Sequence, residues 1–402
     1  MNVLAFRPRP DESLVPADTD TRVARVEVFE DMASCEAPWR TLEAGPALAT
    51  PYQRYDFLHL WQRHVGTEQG VTPFVVTAFN AAGEPLFLWP LGRRQLGGLQ
   101  AVEFLGGKHA NFNMALWRRD VATSIETGDL RAVLRQLGDR IDLLVLQQQP
   151  LSWAGTTNPF ALLPHQRAAN CGFSGALVPS FDALLRARTN AVMRKKMRKK
   201  AQALASFGSI SFTRVTKLCE IRRVLDVFFK QKGARMRAQG VRDVFAGADV
   251  RRFIEAAATQ PAVNGAPLIE IYALSVDNII VATMGGIVGG ARFCAMFNSI
   301  IDGRFAIESP GEQLILKLVQ DCCERGLATF DLGVGEARYK ALFCGDIEPL
   351  IDSFIPLSGA GRLLAVGCRS AATVKRTVKQ QPALWSMVRR ARLLRAQLSP
   401  SP

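Results

Sequence analysis

The fold class predicted for this chain of 402 residues is α/β (α+β): two domains in tandem, with mixed, mostly antiparallel sheets flanked by helices. Three observations predict it. The length suits two ordinary domains, and the 48% of residues that are hydrophobic can fill two sizeable cores. Residues 22–165 read in the order strand, helices, meander, helix, strand. Residues 268–299 hold three apolar runs separated by tight-turn residues, an antiparallel meander.

The elements follow in order. Residues 1–20 are Pro-rich and charged, lack the apolar core of a signal peptide, and are expected to be disordered. In the first domain, residues 21–165, Val23 to Phe29 reads as a strand, and Cys35 to Glu43 and Phe57 to Val65 as helices. Thr72 to Phe79 and Pro85 to Arg93 are strands around the turn at Asn80 to Gly83. Ala101 to Leu105 is a strand, Asp129 to Leu137 a helix and Ile141 to Gln147 a buried strand. Gly106-Gly107-Lys108-His109 lacks the spacing of a phosphate loop. Trp153 to Asn170, rich in Pro, Thr and small residues, reads as a linker.

The second domain is assigned to residues 166–358. Phe181 to Ser206 reads as one long basic helix stopped by Gly208, and Ser209 to Val215 as a strand. Ile221 to Arg237 and Asp249 to Thr259 are helices. The meander comprises Leu268 to Val276, Ile279 to Val288 and Ala291 to Ser299, with turns at Asp277-Asn278 and Gly289-Gly290. A helix then begins with Ser309 as N-cap, Pro310 first and Glu312 third. Ser-x-x-Glu is a capping box, and proline suits a first helical position because its missing N–H had no partner there. Leu314, Ile315, Leu318 and Val319 mark the buried face, and Gly326 ends the helix. Ala328 to Leu332 is a short strand, loosened afterwards by Gly333 and Gly335.

Composition excludes several classes. No apolar run approaches the roughly 20 residues that span a bilayer. The eight cysteines have unrelated spacings, with no Cys-x-x-Cys, so a zinc site is not expected and the thiols read as reduced residues of a cytoplasmic protein. The net charge of +14 is uneven. One basic cluster runs from Arg186 to Lys200. The other is the tail, residues 359–402, which has nine basic residues and no acid, with Leu363, Leu364, Trp385, Val388, Leu393 and Leu394 interleaved. Such segments read as amphipathic helices that suit an anionic partner, a membrane surface among them.

The order of strand, Ser309-Pro310-Gly311 helix start, Gly326, Phe330-Asp331 strand, Gly333-Val334-Gly335-Glu336 and Tyr339-Lys340 resembles the second half of a CelD/BcsL-type acetyltransferase domain of the GNAT superfamily, related to the FemAB/FemX-like tandem transferases. Thr50-Pro51-Tyr52-Gln53 through Trp61, and the basic Asn190 to Lys200 segment, resemble other parts of that family. The likeness spans roughly Val23 to Leu357. The chain departs from the family in lacking the usual Gln/Arg-x-x-Gly-x-Gly/Ala phosphate loop; Ser309-Pro310-Gly311 stands where its end would be.

The resemblance implies two tandem GNAT-like domains, the first degenerate and the second catalytic. It implies acetyl-CoA or another acyl-CoA as co-substrate, entering a splay between the strands Ala291 to Ser299 and Ala328 to Leu332. The implied cofactor residues are Phe297, Asn298, Ser309, Gly311, Glu312 and Gln313; the N–H groups and dipole of a helix start suit a pyrophosphate. N-acyl transfer needs a base for the amine and a proton for the departing thiolate. Glu336 is the candidate base and Tyr339 the candidate acid. Lys340, Asp331 and His109, in His-Ala-Asn-Phe-Asn, are the candidate substrate contacts.

The expected acceptor is an amino sugar, a sugar nucleotide or another cell-envelope or exopolysaccharide precursor. The expected setting is cytoplasmic, with the tail a candidate for peripheral attachment to the inner membrane face. Two alternatives stand beside this reading. One is a FemAB-like transfer from aminoacyl-tRNA, with the Arg194 to Lys200 cluster on tRNA phosphates, although nucleic acid is the less expected partner. The other is a non-catalytic scaffold in polysaccharide synthesis.

Overall fold

The structure is a computed structural model that describes residues 22–261, 265–335, 340 and 342–398. The expectations for residues 1–20, Glu336 and Tyr339 lie outside the described residues. Most elements form where apolar periodicity places them. The meander is present as Glu270–Val276, Ile279–Gly289 and Arg292–Ile300. Its first turn works because Asp277 and Asn278 both take positive φ, 45° and 68°, as the tightest hairpin turns require.

Three sheets make the body. A five-stranded sheet orders Arg25–Phe29, Val75–Phe79, Pro85–Trp89, Leu116–Arg118 and Ala47–Leu48. A six-stranded sheet orders Gln166–Arg167, Leu350–Pro356, Leu143–Pro150, Leu99–Phe104, Leu91–Leu96 and Thr72–Pro73. A seven-stranded sheet orders Ile210–Val215, the three meander strands, Thr329–Val334, Gly172–Ala176 and Asp346–Glu348. The two larger sheets share a device. Each contains one parallel pairing among the described residues, three residue pairs long: Ala101 to Glu103 with Leu143 to Val145 in one, Arg292 to Cys294 with Thr329 to Asp331 in the other. The chain thus repeats one plan twice.

The structure corrects some expected boundaries. The long basic helix is two, Phe181–Arg188 and Ala191–Ala205, because Asn190 turns extended and accepts the Met193 N–H at 2.8 Å as an N-cap. The supposed linker is ordered, and its Gln166–Arg167 strand pairs with Leu350–Pro356. That second strand, placed by the sequence reading in the second domain, pairs with Leu143–Pro150 of the first. Pairing partners so distant leave no local periodic signal.

The halves share one apolar core. Phe57 packs edge-on against Phe253 at 5.2 Å, the Arg54 guanidinium donates to the Val288 carbonyl at 2.9 Å, and Gly289 sits where a Cβ would meet Pro51 at 2.6 Å. Two helices follow the sheets, Gly359–Gln380 and Pro382–Leu398.

Candidate active site

The site is built from two strands that begin together and separate. Arg292 pairs with Thr329, Phe293 with Phe330 and Cys294 with Asp331, and there the parallel pairing stops. Two features open the gap. Met296 is the extra residue of a β-bulge, since Ala295 lies opposite Gly286 and Phe297 opposite Gly285; a bulge bends its strand. Asn111 of the first domain fills the space. Its amide donates to the Ala295 carbonyl at 2.9 Å and to the Tyr52 hydroxyl at 3.1 Å. Across the gap Gly333 has φ +70°, and a Cβ there would lie 2.6 Å from the Asn111 amide nitrogen.

Beyond the gap the chain enters helix Pro310–Glu324. The expected capping box is absent. Ser309 is left-handed, with φ 54° and ψ 57°, and its side chain makes no cap hydrogen bond. An N-cap needs an extended backbone to aim its oxygen at the first turn. Lys200, from the basic helix, takes both partners instead: its Nζ donates to Ser309 Oγ at 2.7 Å and to Glu312 Oε2 at 2.9 Å. Glu312 is thereby neutralised, which leaves the helix dipole available to another anion. Gly311 closes the helix onto the strand end, for a Cβ would meet Ile300 Cδ1 at 2.5 Å.

A cleft of about 480 Å³ opens at this helix start, lined by Arg235, Gln239, Asn298, Ile300, Ser309, Gly311 and Glu312 among others. A smaller one of about 200 Å³, with Lys196, Lys200 and Phe343, lies against Glu312 too. Cationic side chains therefore border two clefts at the helix start. The donor set suits a polyanion: first-turn N–H groups, a guanidinium and ammonium groups. Phe297 is buried and packs on Phe228, ring centroids 4.4 Å apart. The Asn298 carbonyl accepts from Lys232 Nζ at 3.2 Å. Gln313 faces the basic helix, lining a third cleft with Arg194 and Arg198.

The three candidate substrate contacts that are described are all buried. Asp331 is fully enclosed and pairs with Arg292, Oδ2 to Nη2 2.6 Å, while its other oxygen accepts from the Gly333 N–H. Arg292 also holds Glu348, with its two terminal nitrogens 2.7 and 2.8 Å from the carboxylate oxygens, and stacks on Trp153 at 4.1 Å. Burial pushes Asp331 up to about 6, against the pull of Arg292. Asp331 is a positioning residue for the strand end. Lys340 donates to the carbonyls of Gly333 and Val334 at 3.0 and 3.2 Å, and burial lowers it to about 8.

His109 lies between the domains with both ring nitrogens engaged. Trp61 Nε1 donates to Nδ1 at 3.1 Å, so Nε2 carries the proton and donates to the Val244 carbonyl at 3.0 Å. Burial holds its pKa below the ordinary histidine value. The sequence reading missed Arg292, Glu348, Asn111 and the Lys200 clip. Only Asn111 carried a signal, its place two residues after His109. A larger cleft of about 930 Å³, with Thr50, Arg54, Arg119, Trp153 and Arg292 in its walls, lies between the domains at the beginning of the same two parallel strands.

Comparison with known proteins agrees with this geometry. Residues 191–341 match the family described as Acetyltransferase (GNAT) domain. Among solved structures, FemX superposes with a TM-score of 0.53 at 10% identity, covering 82% of this chain and 97% of its own. The tandem GNAT protein from the clavulanic acid biosynthesis pathway gives 0.47 at 10% identity, covering 83% and 99%. L-PGS from Bacillus licheniformis gives 0.46 at 14%, covering 84% and 96%. At 10% identity the FemX likeness speaks for the fold alone. No curated protein matches the chain. Residues 191–341 thus match a GNAT acetyltransferase domain, and the chain shares the fold of FemX.

Proposed function

We propose that the protein moves an acyl group, acetyl in the simplest case, from acyl-CoA to an amine on an amino sugar, a sugar nucleotide or a related cell-envelope precursor. The observation that carries the proposal is the helix start beside the opened strand pair, where Arg235, Ser309 and Gly311 line a cleft of about 480 Å³ and Lys200, paired with Glu312, lines the neighbouring smaller one. A pyrophosphate there meets a helix dipole and the Arg235 guanidinium, while Lys200 offsets the Glu312 charge. The bulged strand and Asn111 hold the two strands apart at Ala295, and we place the acyl arm beside that point.

The reaction forms one N–C bond and breaks one C–S bond. The amine loses a proton and the sulfur gains one. Glu336, a carboxylate that follows the strand Thr329–Val334 in sequence, is our base, and Tyr339 is our acid. The inter-domain cleft of about 930 Å³ falls in the usual size range of ligand pockets and is our site for the acceptor, with Arg54, Arg119 and Trp153 as its recognition groups. The cell-envelope acceptor rests on the CelD/BcsL resemblance and on the basic character of the chain.

One observation favours a second donor. Helix Ala191–Ala205 carries Arg194, Lys195, Lys196, Arg198, Lys199 and Lys200 with no acid, directly beside the helix start. Such a helix suits the backbone of an aminoacyl-tRNA, and phosphate contacts of this kind make binding steeply salt-dependent.

Calorimetric titration with acetyl-CoA and desulfo-CoA tests the proposal, beside the Lys200→Ala/Arg235→Ala double variant. We expect micromolar binding that the variant loses. Absence of binding to any CoA at low salt overturns the acyl-CoA reading, and binding of aminoacyl-tRNA in its place establishes the second.

A further inference from the structure

Helix Gly359–Gln380 docks on the six-stranded sheet through one face. Ala365 is buried, and Leu364, Cys368 and Ala372 pack with it on Leu143, Val145 and Phe354. The opposite face of a surface helix is ordinarily polar. Here it carries Leu363, 80% exposed, Val366, 59%, and Val374, 62%, separated by Gly367, Ser370 and Thr377. At a helical period these three large side chains lie on one outward stripe. Helix Pro382–Leu398 adds Met387, 64% exposed.

Basic residues flank the stripe. Arg362, Arg369 and Lys375 stand on either side of it, and Arg389, Arg390 and Arg392 follow on the second helix. After Asp352 the chain has nine arginines and lysines and no acid. Several of the basic groups are tied to the body: the Arg369 guanidinium donates to the Phe354 carbonyl at 2.7 Å and Lys379 Nζ to Asn170 Oδ1 at 2.6 Å. The charge is therefore fixed beside the stripe and moves with the domain.

We infer that this face seats the protein on an anionic lipid surface, with Leu363, Val366 and Val374 entering the interface and the flanking arginines and lysines meeting lipid phosphates. An apolar outward stripe alone would suit a second copy or another protein. The wholly cationic flank decides for an anionic bilayer, because a second copy would bring the same unopposed positive charge to the contact. No helix among the described residues is long and apolar enough to cross a membrane, so the contact is a surface one.

Sedimentation of the full chain with vesicles tests this. Phosphatidylcholine vesicles containing phosphatidylglycerol are expected to carry the protein down, and pure phosphatidylcholine vesicles are not. Leu363→Glu/Val374→Glu should abolish the binding, and Arg362→Glu/Lys375→Glu should weaken it and lower its salt dependence. Ile279→Glu, a change at another exposed apolar residue, 43% exposed and away from the tail, should leave it intact, with circular dichroism showing that each variant folds. No binding to anionic vesicles at low salt overturns the inference. Equal binding to neutral vesicles, or binding that both double variants retain, overturns it as well. A dimer in solution that Leu363→Glu/Val374→Glu dissolves would assign the stripe to a second copy.

Discussion

The Asn111 side-chain amide and the Ala295 carbonyl, 184 residues apart in sequence, meet at 2.9 Å where the two parallel strands of the second domain separate. A residue of the first domain thus enters the gap between two strands of the second. The contact adds to the apolar core that the halves share and makes the gap a joint property of both.

Asn111→Ala is expected to cost about 1–3 kcal/mol, since the Ala295 carbonyl and the Tyr52 hydroxyl lose their shared donor. Gly333→Ala is expected to cost a similar amount, about 1–3 kcal/mol, from its positive φ alone. The double variant should cost less than the sum, because removing the amide frees the space that a Cβ at 333 needs. Urea denaturation of the four proteins measures the cycle. Strict additivity would show that Asn111 does not fill the gap.

Arg292 holds two carboxylates, one of them fully buried. Its replacement by Met leaves Asp331 and Glu348 uncompensated and should destabilise by about 3–5 kcal/mol. Asp331 gives the pH signature. Its folded pKa, about 6, lies above the ordinary value of 3.8, so the folded state holds the extra proton between them. Its contribution to stability is full below pH 3.8 and is lost as pH rises through 6. The stability difference between wild type and Asp331→Asn should change across that window and be flat above pH 7. A flat difference from pH 4 to 7 would contradict the raised pKa.

His109 is expected to act in the opposite sense. Its folded pKa is depressed, so the unfolded chain binds the proton more readily, and stability falls as pH drops below about 6.5. A protonated ring would also turn Nδ1, which accepts from Trp61, into a donor facing a donor. Wild type should therefore lose stability relative to His109→Gln between pH 7 and 5. Trp61 fluorescence and thermal melts follow the change; identical pH profiles for the two proteins would contradict the assignment.

Glu336→Gln should lower kcat by about 100- to 10,000-fold, as expected on losing a general base, while leaving the dissociation constant for acetyl-CoA unchanged. Single-turnover kinetics and calorimetry separate the two. A lost affinity with intact chemistry would make Glu336 a binding residue instead.

Much of the second domain was legible from local pattern. The meander, the Pro310 helix and the strand after Gly326 follow from apolar spacing, turn residues and proline, each of which acts within a few residues. Ser309 was misread because its sequence suits a cap, whereas its left-handed backbone and the Lys200 ammonium, 109 positions away, divert the hydroxyl. Lys340 and Asp331 were recognised as chemically notable, but burial and the neighbouring backbone turn both toward holding the strand end.

The sequence by itself determined the class of the fold, the order of most elements, the helix start and the strongly basic tail. These are set by period, turn chemistry and net charge, which need no knowledge of what lies opposite. The tertiary structure alone decided that Asn111 enters the strand gap, that Arg292 joins Asp331 to Glu348, that residues 350–356 complete the first domain's sheet, and that Leu363, Val366 and Val374 face outward. Each of these is a pairing or an exposure between segments far apart in the chain, and the energy that selects it exists only once the sheets have packed.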